Sequence, residues 1–293
     1  LFPIVAISIV LGSAWQGIPP SFTDEGVYYA HIRTIAQGSV TDGNPFFLEH
    51  KDGPPLVVFG GAWLSALPLF SGMPFNTAML FNFFVWSLAF AALLYVFFRE
   101  WAVPPWVAVF GTVGIYLESY AHVGRAVNLQ PVYPLYFLFY LALARLIRAP
   151  NRANIGLLAA AIAASFYLFA YLWQVAAITL GLLFLYALFR KNFPLMKAAL
   201  LSSLIGGTIG LPVPLYMLWL SRSSPYFWES IYRLGLVDTH LPMAEVVYSG
   251  GWIGVVLAVV AMLHVRNRAF RDERESSFLF LFLFVSGLGL WVM

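Results

Sequence analysis

Long apolar runs free of charge recur along this chain, separated by short polar or charged segments. The runs cover 1–15, 76–98, 105–117, 129–144, 154–171, 173–189, 198–220, 251–265 and 276–293. They are too long and too continuous for the alternating strands of a membrane barrel, and about 20 apolar residues carry an α-helix across a bilayer. The pattern predicts an all-α polytopic membrane protein with about nine transmembrane helices. The uncharged stretch 154–189 is too long for one span. It divides near Tyr171-Leu172-Trp173-Gln174, where aromatics and a Gln suit the membrane interface.

One further apolar stretch, 56–70, reads differently. Pro54-Pro55 precede it, and Pro68 and Gly72 close it. It is short, and predicts a helix lying in the interface. A second short helix is expected over 26–37, with Thr23 or Asp24 as its N-cap. The run 1–15 is expected to be a first span rather than a signal peptide, because no small-residue cleavage site precedes the polar loop after it. A start at Leu1 and an apolar end at Met293 suggest a piece of a longer protein, with further helices and any C-terminal soluble domain lying beyond residue 293. Residues 1–293 are expected to form one transmembrane domain.

Composition supports the membrane assignment. The chain is 61% hydrophobic and 10% charged, with mean hydropathy +0.82, whereas soluble domains carry about 25% charged residues. There is no cysteine, which excludes disulfides and thiolate metal sites. Charge placement sets the orientation. With the N-terminus in the cytoplasm and nine spans, eleven basic residues fall on inner loops and five on outer ones. Acidic residues divide the other way, four inside and nine outside. Counting 56–70 as a span would invert every later loop and carry the basic clusters outside. Two outer loops are then large, at about 16–75 and 221–250. Both are rich in Trp, Tyr, Phe and Pro, a composition unlike that of disordered segments.

Most ionisable residues that suggest chemistry lie in the outer connections. Asp24-Glu25 directly follows the first span, and a carboxylate pair beside hydrocarbon is costly enough to suggest function. If Asp24 opens a helix, Tyr28 and His31 share its face. A carboxylate, a phenol and an imidazole together suit general-base work or a hard cation. The same acids also suit the first turn of a helix on dipole grounds alone. Glu49-His50-Lys51-Asp52 precede the Pro54-Pro55 step, either completing a polar site or forming a solvated turn. Arg125 is the one basic residue of the 118–130 connection, placed to pair with a carboxylate or phosphate or to snorkel to the interface. The last loop holds Arg222, Arg233 and His240, which fit a lipid-linked phosphate or an ordinary charged loop. No phosphate-binding glycine loop, dinucleotide fingerprint or zinc spacing occurs.

Taken in order, these pieces resemble a known superfamily. They are Asp24-Glu25 followed by Tyr29, Pro54-Pro55-Leu56, Phe70-Ser71-Gly72, and a helix ending in Tyr95 and Arg99. The chain is similar to the membrane glycosyltransferases of the GT-C superfamily, especially the protein O-mannosyltransferase and aminoarabinose-transferase branch. The likeness covers about residues 1–152, and hydropathy and loop pattern extend it further.

The resemblance implies a GT-C-like fold whose large first outer loop contains interfacial helices. It also implies transfer of a sugar from a polyprenyl-phosphate donor to a lipid, glycan or protein acceptor, with inversion. The active site would lie on the outer face of a bacterial or archaeal plasma membrane. It makes Asp24 the general base and Glu25 the second acid. Donor phosphate would be held by Arg125 and Arg233, with Arg222 and His240 behind them. Tyr28, Tyr29, His31, Glu49, His50 and Asp52 would contact substrate. Membrane lipid is the other expected partner, and nucleic acid is not one.

No organic cofactor is implied, and a divalent cation is compatible with the acids. In place of the family's His before the Pro-Pro step stand Asp52-Gly53, and Asn128 and Gln130 occupy a stretch where relatives carry an acid. A cation would then lack one carboxylate ligand. Competing readings are a multi-pass transporter or lipid flippase, for which Gly206-Gly207, Gly210, Pro212 and Pro214 could break a helix, and a non-catalytic envelope scaffold.

Overall fold

The computed structural model describes residues 25–38, 60–100, 104–118, 129–169, 172–225 and 227–228. Nine α-helices and no strand occur among them. They are α1 (Glu25–Ala36), α2 (Gly60–Phe70), α3 (Phe75–Glu100), α4 (Pro105–Glu118), α5 (Leu129–Arg148), α6 (Arg152–Leu168), α7 (Leu172–Phe189), α8 (Phe193–Gly210) and α9 (Pro212–Ser223). Of these, α3, α5, α7 and α8 are long and apolar enough to cross a membrane. The helices α4 and α6, expected as spans, have 14 and 17 residues. The expected spans 1–15, 251–265 and 276–293 lie outside the described residues. The chain divides into two compact units, with the boundary inside α5 between Leu138 and Phe139.

In the first unit, α2 is the hub. Its inward face is built of small residues, Gly61, Ala62, Ser65 and Ala66, so α1 and α3 can approach closely. Ile32 and Ile35 of α1, Ala62 and Ala66 of α2, and Ala78 and Met79 of α3 form one buried cluster. Buried Asn82 of α3 donates from Nδ2 to the Ser65 carbonyl of α2 at 2.7 Å. Helix α2 stops where its sequence dictates. Pro68 lacks the N–H that would reach the Leu64 carbonyl. Gly72 then takes a left-handed φ of +83°, which only glycine adopts freely, and its N–H closes on the Leu69 carbonyl at 3.0 Å.

Two prolines, Pro68 and Pro74, flank the turn into α3, and the Pro74 carbonyl accepts from the Ala78 N–H at 2.8 Å. At about 1.5 Å per residue the 26 residues of α3 extend roughly 39 Å. Its buried stripe, Met79, Phe83, Phe90, Leu94 and Phe97, follows helical spacing. Phe90 sits among Tyr116 of α4 and Tyr133 and Phe137 of α5, with ring centroids 5.4–6.1 Å away.

The second unit begins with a tight corner. Asn151 caps α6 by accepting from the Asn154 N–H at 3.0 Å. Asn154 reaches back, donating from Nδ2 to the Arg145 and Ala149 carbonyls at the end of α5. Two side chains thus satisfy backbone groups on both sides of the turn.

Helices α6 and α8 run parallel and touch along their length. Ser202 Oγ donates to the Ile155 carbonyl at 3.2 Å, Gly206 faces Ala159 and Ile162, and Gly210 faces the Phe166 ring. The connection between α7 and α8 reverses the chain through Lys191, at φ +53°. The Asn192 N–H reaches the Ala187 carbonyl at 2.8 Å and the Asn192 side chain caps α8. Because α6 and α8 are parallel, Arg148, Arg152, Arg190, Lys191 and Lys197 collect at one end of this unit.

The sequence predicts one helix over 198–220, and the structure corrects this. Helix α8 starts earlier, at Phe193, because Asn192 and Pro194 make a good N-terminus and Lys197 stays exposed beside it. The run is then divided at Leu211 into α8 and α9. Pro212 and Pro214 have no N–H to offer the carbonyls of Thr208 and Gly210. Tyr167 of α6 donates its hydroxyl to the adjacent Ile209 carbonyl at 2.7 Å.

Candidate functional site

The candidate site centres on α1. Glu25 is its first helical residue, at the positive end of the helix dipole. Asp24 itself, with Glu49, His50, Asp52, Arg125, Arg233 and His240, lies outside the described residues. Arg222 is placed in the second unit, exposed on the last turn of α9.

Within α1, Tyr28, His31, Ile32 and Ile35 recur at three- and four-residue spacing. His31 is 6% exposed, while Ile32 and Ile35 are fully enclosed. Tyr28 and His31 therefore share a face, as their spacing predicts, and that face is the one turned into the core. His31 is held among packed helices instead of standing in open solvent. Tyr28 and Tyr29 are half-buried.

What fixes α1 is a contact that spacing rules alone do not single out. The Phe75 ring, at the first position of α3, meets Tyr29 edge-on at 5.5 Å and 89°. The Arg33 guanidinium lies 4.2 Å from the same ring centroid. Tyr29 and Arg33 are four apart on α1, so one aromatic ring is gripped by two successive turns. An edge-on pair and a cation over a ring face are each favourable arrangements. The hint in the sequence is a Tyr and an Arg at that interval, on a helix that also carries Tyr28 and His31.

The outer side of α2 is also distinctive. Trp63, Leu67 and Phe70 are exposed in a line, and the Trp63 and Phe70 rings are stacked at 6.3 Å. Eleven residues extend about 16 Å, half of a bilayer core. An outward apolar stripe on so short a helix is the pattern expected of one lying at a membrane surface.

Among the described residues no group of three His, Asp or Glu side chains stands together as a metal site. No protein-family model, curated protein or solved structure matches this chain.

Proposed function

We propose that this chain is the membrane part of a GT-C-type glycosyltransferase, drawing sugar from a polyprenyl-phosphate donor at the outer membrane face. The observation that carries the proposal is that Glu25, which follows Asp24 in the sequence, opens α1, a helix held by Tyr29 and Arg33 on Phe75 where the long apolar α3 begins. An acid at the start of a helix held in this way would suit a donor whose lipid tail stays in the bilayer.

Orientation is consistent with that placement. The basic end of α6–α8, assigned to the cytoplasm, puts the opposite ends of these helices outside. Counting back through α5, α4 and α3 as crossings places α1 and α2 outside as well. In this reaction Asp24 takes the proton of the acceptor hydroxyl as its oxygen bonds to the anomeric carbon. The bond from that carbon to phosphate breaks, and the electron pair leaves with the phosphate. Glu25 favours positive charge developing on the sugar. Arg125, Arg222, Arg233 and His240 are the groups available to neutralise the departing phosphate. A single displacement inverts the anomeric centre.

The test is transfer of radiolabelled sugar from short-chain prenyl-phosphate donors by purified full-length protein carrying Asp24→Asn. Loss of at least a hundredfold in rate is expected, and transfer at the wild-type rate refutes the assignment.

One observation favours a second reading. The break at Leu211 between α8 and α9 resembles the interrupted helices of transporters. A transporter predicts movement of solute or lipid across sealed vesicles that survives Asp24→Asn.

A further inference from the structure

Glycines in the second unit are of two kinds. At Gly206 a Cβ would stand 2.6 Å from the Ala159 carbonyl oxygen, and at Gly210 it would enter the Phe166 ring. Those two residues are small because α6 lies against them. Gly181 of α7 and Gly207 of α8, like the exposed Gly156 of α6, meet nothing within 4 Å. A helical glycine costs about 1 kcal/mol relative to alanine, and no neighbouring helix accounts for these two.

Both face the same space, a cavity of about 310 Å³ between α7 and α8 with α6 behind it. Ala177 and Gly181 line one wall and Ala199, Ser203 and Gly207 the other, each set four residues apart. Phe166 and Trp173, stacked nearly parallel at 10°, close one end. The lining is apolar except for the Trp173 indole N–H and Ser203, whose hydroxyl is committed to the Ala199 carbonyl at 2.8 Å. The cavity therefore offers no charged group to a phosphate.

Its depth identifies what fills it. Gly181 and Ser203 lie near the midpoints of two 18-residue helices that are long and apolar enough to cross a membrane. At that depth the surroundings are aliphatic chains. Leu200 of the lining is itself exposed, and the same helices expose Ile178 and Leu185 on α7 and Leu204 on α8. A methylene group takes up about the 30 Å³ that one water occupies in the liquid, so the cavity holds roughly ten.

We propose that this groove is a seat for one acyl chain of a bilayer phospholipid, separate from any donor site. The proposal rests on α7 and α8 being membrane spans and does not depend on glycosyl transfer.

The experiment reconstitutes the full chain in phosphatidylethanolamine–phosphatidylglycerol vesicles containing a trace of phosphatidylcholine with a diazirine at mid-chain. After irradiation, labelled residues are mapped by mass spectrometry. Adducts on Trp173, Leu180 and Phe184 should exceed those on outward Ile178 and Leu204 at least fivefold. Equal labelling of the two sets overturns the proposal. The double variant Gly181→Leu/Gly207→Leu fills the groove and should reduce the groove adducts at least fivefold while leaving the outward ones. Gly156→Leu, at an exposed α6 position outside the groove, should change neither.

Groove labelling that persists in the filled variant overturns the proposal. So does loss of label on adding an equimolar prenyl phosphate, which would assign the groove to a donor tail. If the filled variant does not fold, the wild-type ratio decides. Alkaline carbonate extraction of the same vesicles separates the two levels. A chain that carbonate removes overturns the membrane reading and the seat together, whereas a retained chain with even labelling overturns the seat alone.

Discussion

Adjacent glycines of α8 should respond in opposite directions to the same substitution. In Gly206→Ala the new methyl would stand 2.6 Å from the Ala159 carbonyl oxygen and 2.7 Å from Ile162 Cβ. A carbon and a carbonyl oxygen settle at about 3.3 Å or more, so α6 and α8 must part by roughly 0.7 Å. Neither neighbour is the free end of a flexible side chain, and the backbone has to move. A gap of that size forfeits about a quarter to a half of each dispersion contact along the seam. It also stretches the 3.2 Å Ser202–Ile155 hydrogen bond beyond useful range.

Overpacking of this kind costs about 1–3 kcal/mol and a lost hydrogen bond about 1 kcal/mol, against a gain of up to ~1 kcal/mol for replacing a helical glycine. The net expected loss is about 2 kcal/mol. In Gly207→Ala the methyl enters open space, and only the gain of about 0.5–1 kcal/mol remains. The two variants should differ by roughly 3 kcal/mol, about a hundredfold in the unfolding equilibrium. Reversible unfolding in mixed micelles, followed by circular dichroism against the mole fraction of dodecyl sulfate, measures this. If Gly206→Ala is as stable as Gly207→Ala, the parallel contact between α6 and α8 is not as described.

Three further outcomes follow from local geometry. Lys191→Gly should stabilise the α7–α8 turn by about 1 kcal/mol, because a left-handed φ of +53° strains any side chain but not glycine; a lowered unfolding midpoint in the same micelle assay would contradict it. Asn151→Ala removes the cap of α6 and should cost about 1 kcal/mol, whereas Asn151→Ser should recover most of that loss, and equal stability of the two variants would argue against a capping role. Phe75→Leu deletes both ring contacts to α1, worth about 1–2 kcal/mol together. Tryptic cleavage after Arg33 should then accelerate roughly 5–30-fold, and an unchanged rate would mean that the ring does not hold the helix.

Among the described residues, helices were legible in the sequence where apolarity alone produces them. The divide between α6 and α7 was visible as aromatics and a Gln, and the end of α2 as Pro68 and Gly72, because each residue there acts through its own backbone or its own polarity. The helix ends were less visible. Charge-free runs stop at the first Arg, but Arg99, Arg145 and Arg148 lie in the last turns of α3 and α5, where a cation suits the helix dipole and its long stem reaches outward. The division at Leu211 was suggested by Pro212 and Pro214, yet hydropathy is blind to a missing N–H and merged the two helices. In the candidate site, the shared face of Tyr28 and His31 could be read from spacing. Its inward direction could not, since that depends on α2 offering small residues to Ile32 and Ile35. The grip of Tyr29 and Arg33 on Phe75 joins segments 42–46 positions apart, a distance over which sequence pattern carries no signal.

The burial of α5 has a consequence for how the protein is made. Among the four helices long and apolar enough to cross a membrane, α5 is the least apolar and the most enclosed by protein. A helix enclosed by protein needs no lipid-compatible surface, so its buried face was free to keep Gln130, Tyr133, Tyr136 and Tyr140. Insertion of a segment follows its own apolarity. As a membrane span α5 would be the weakest of the four on apolarity alone, and it would rely on packing such as that of its Tyr133 and Phe137 against Phe90 of α3, the helix two before it in the chain.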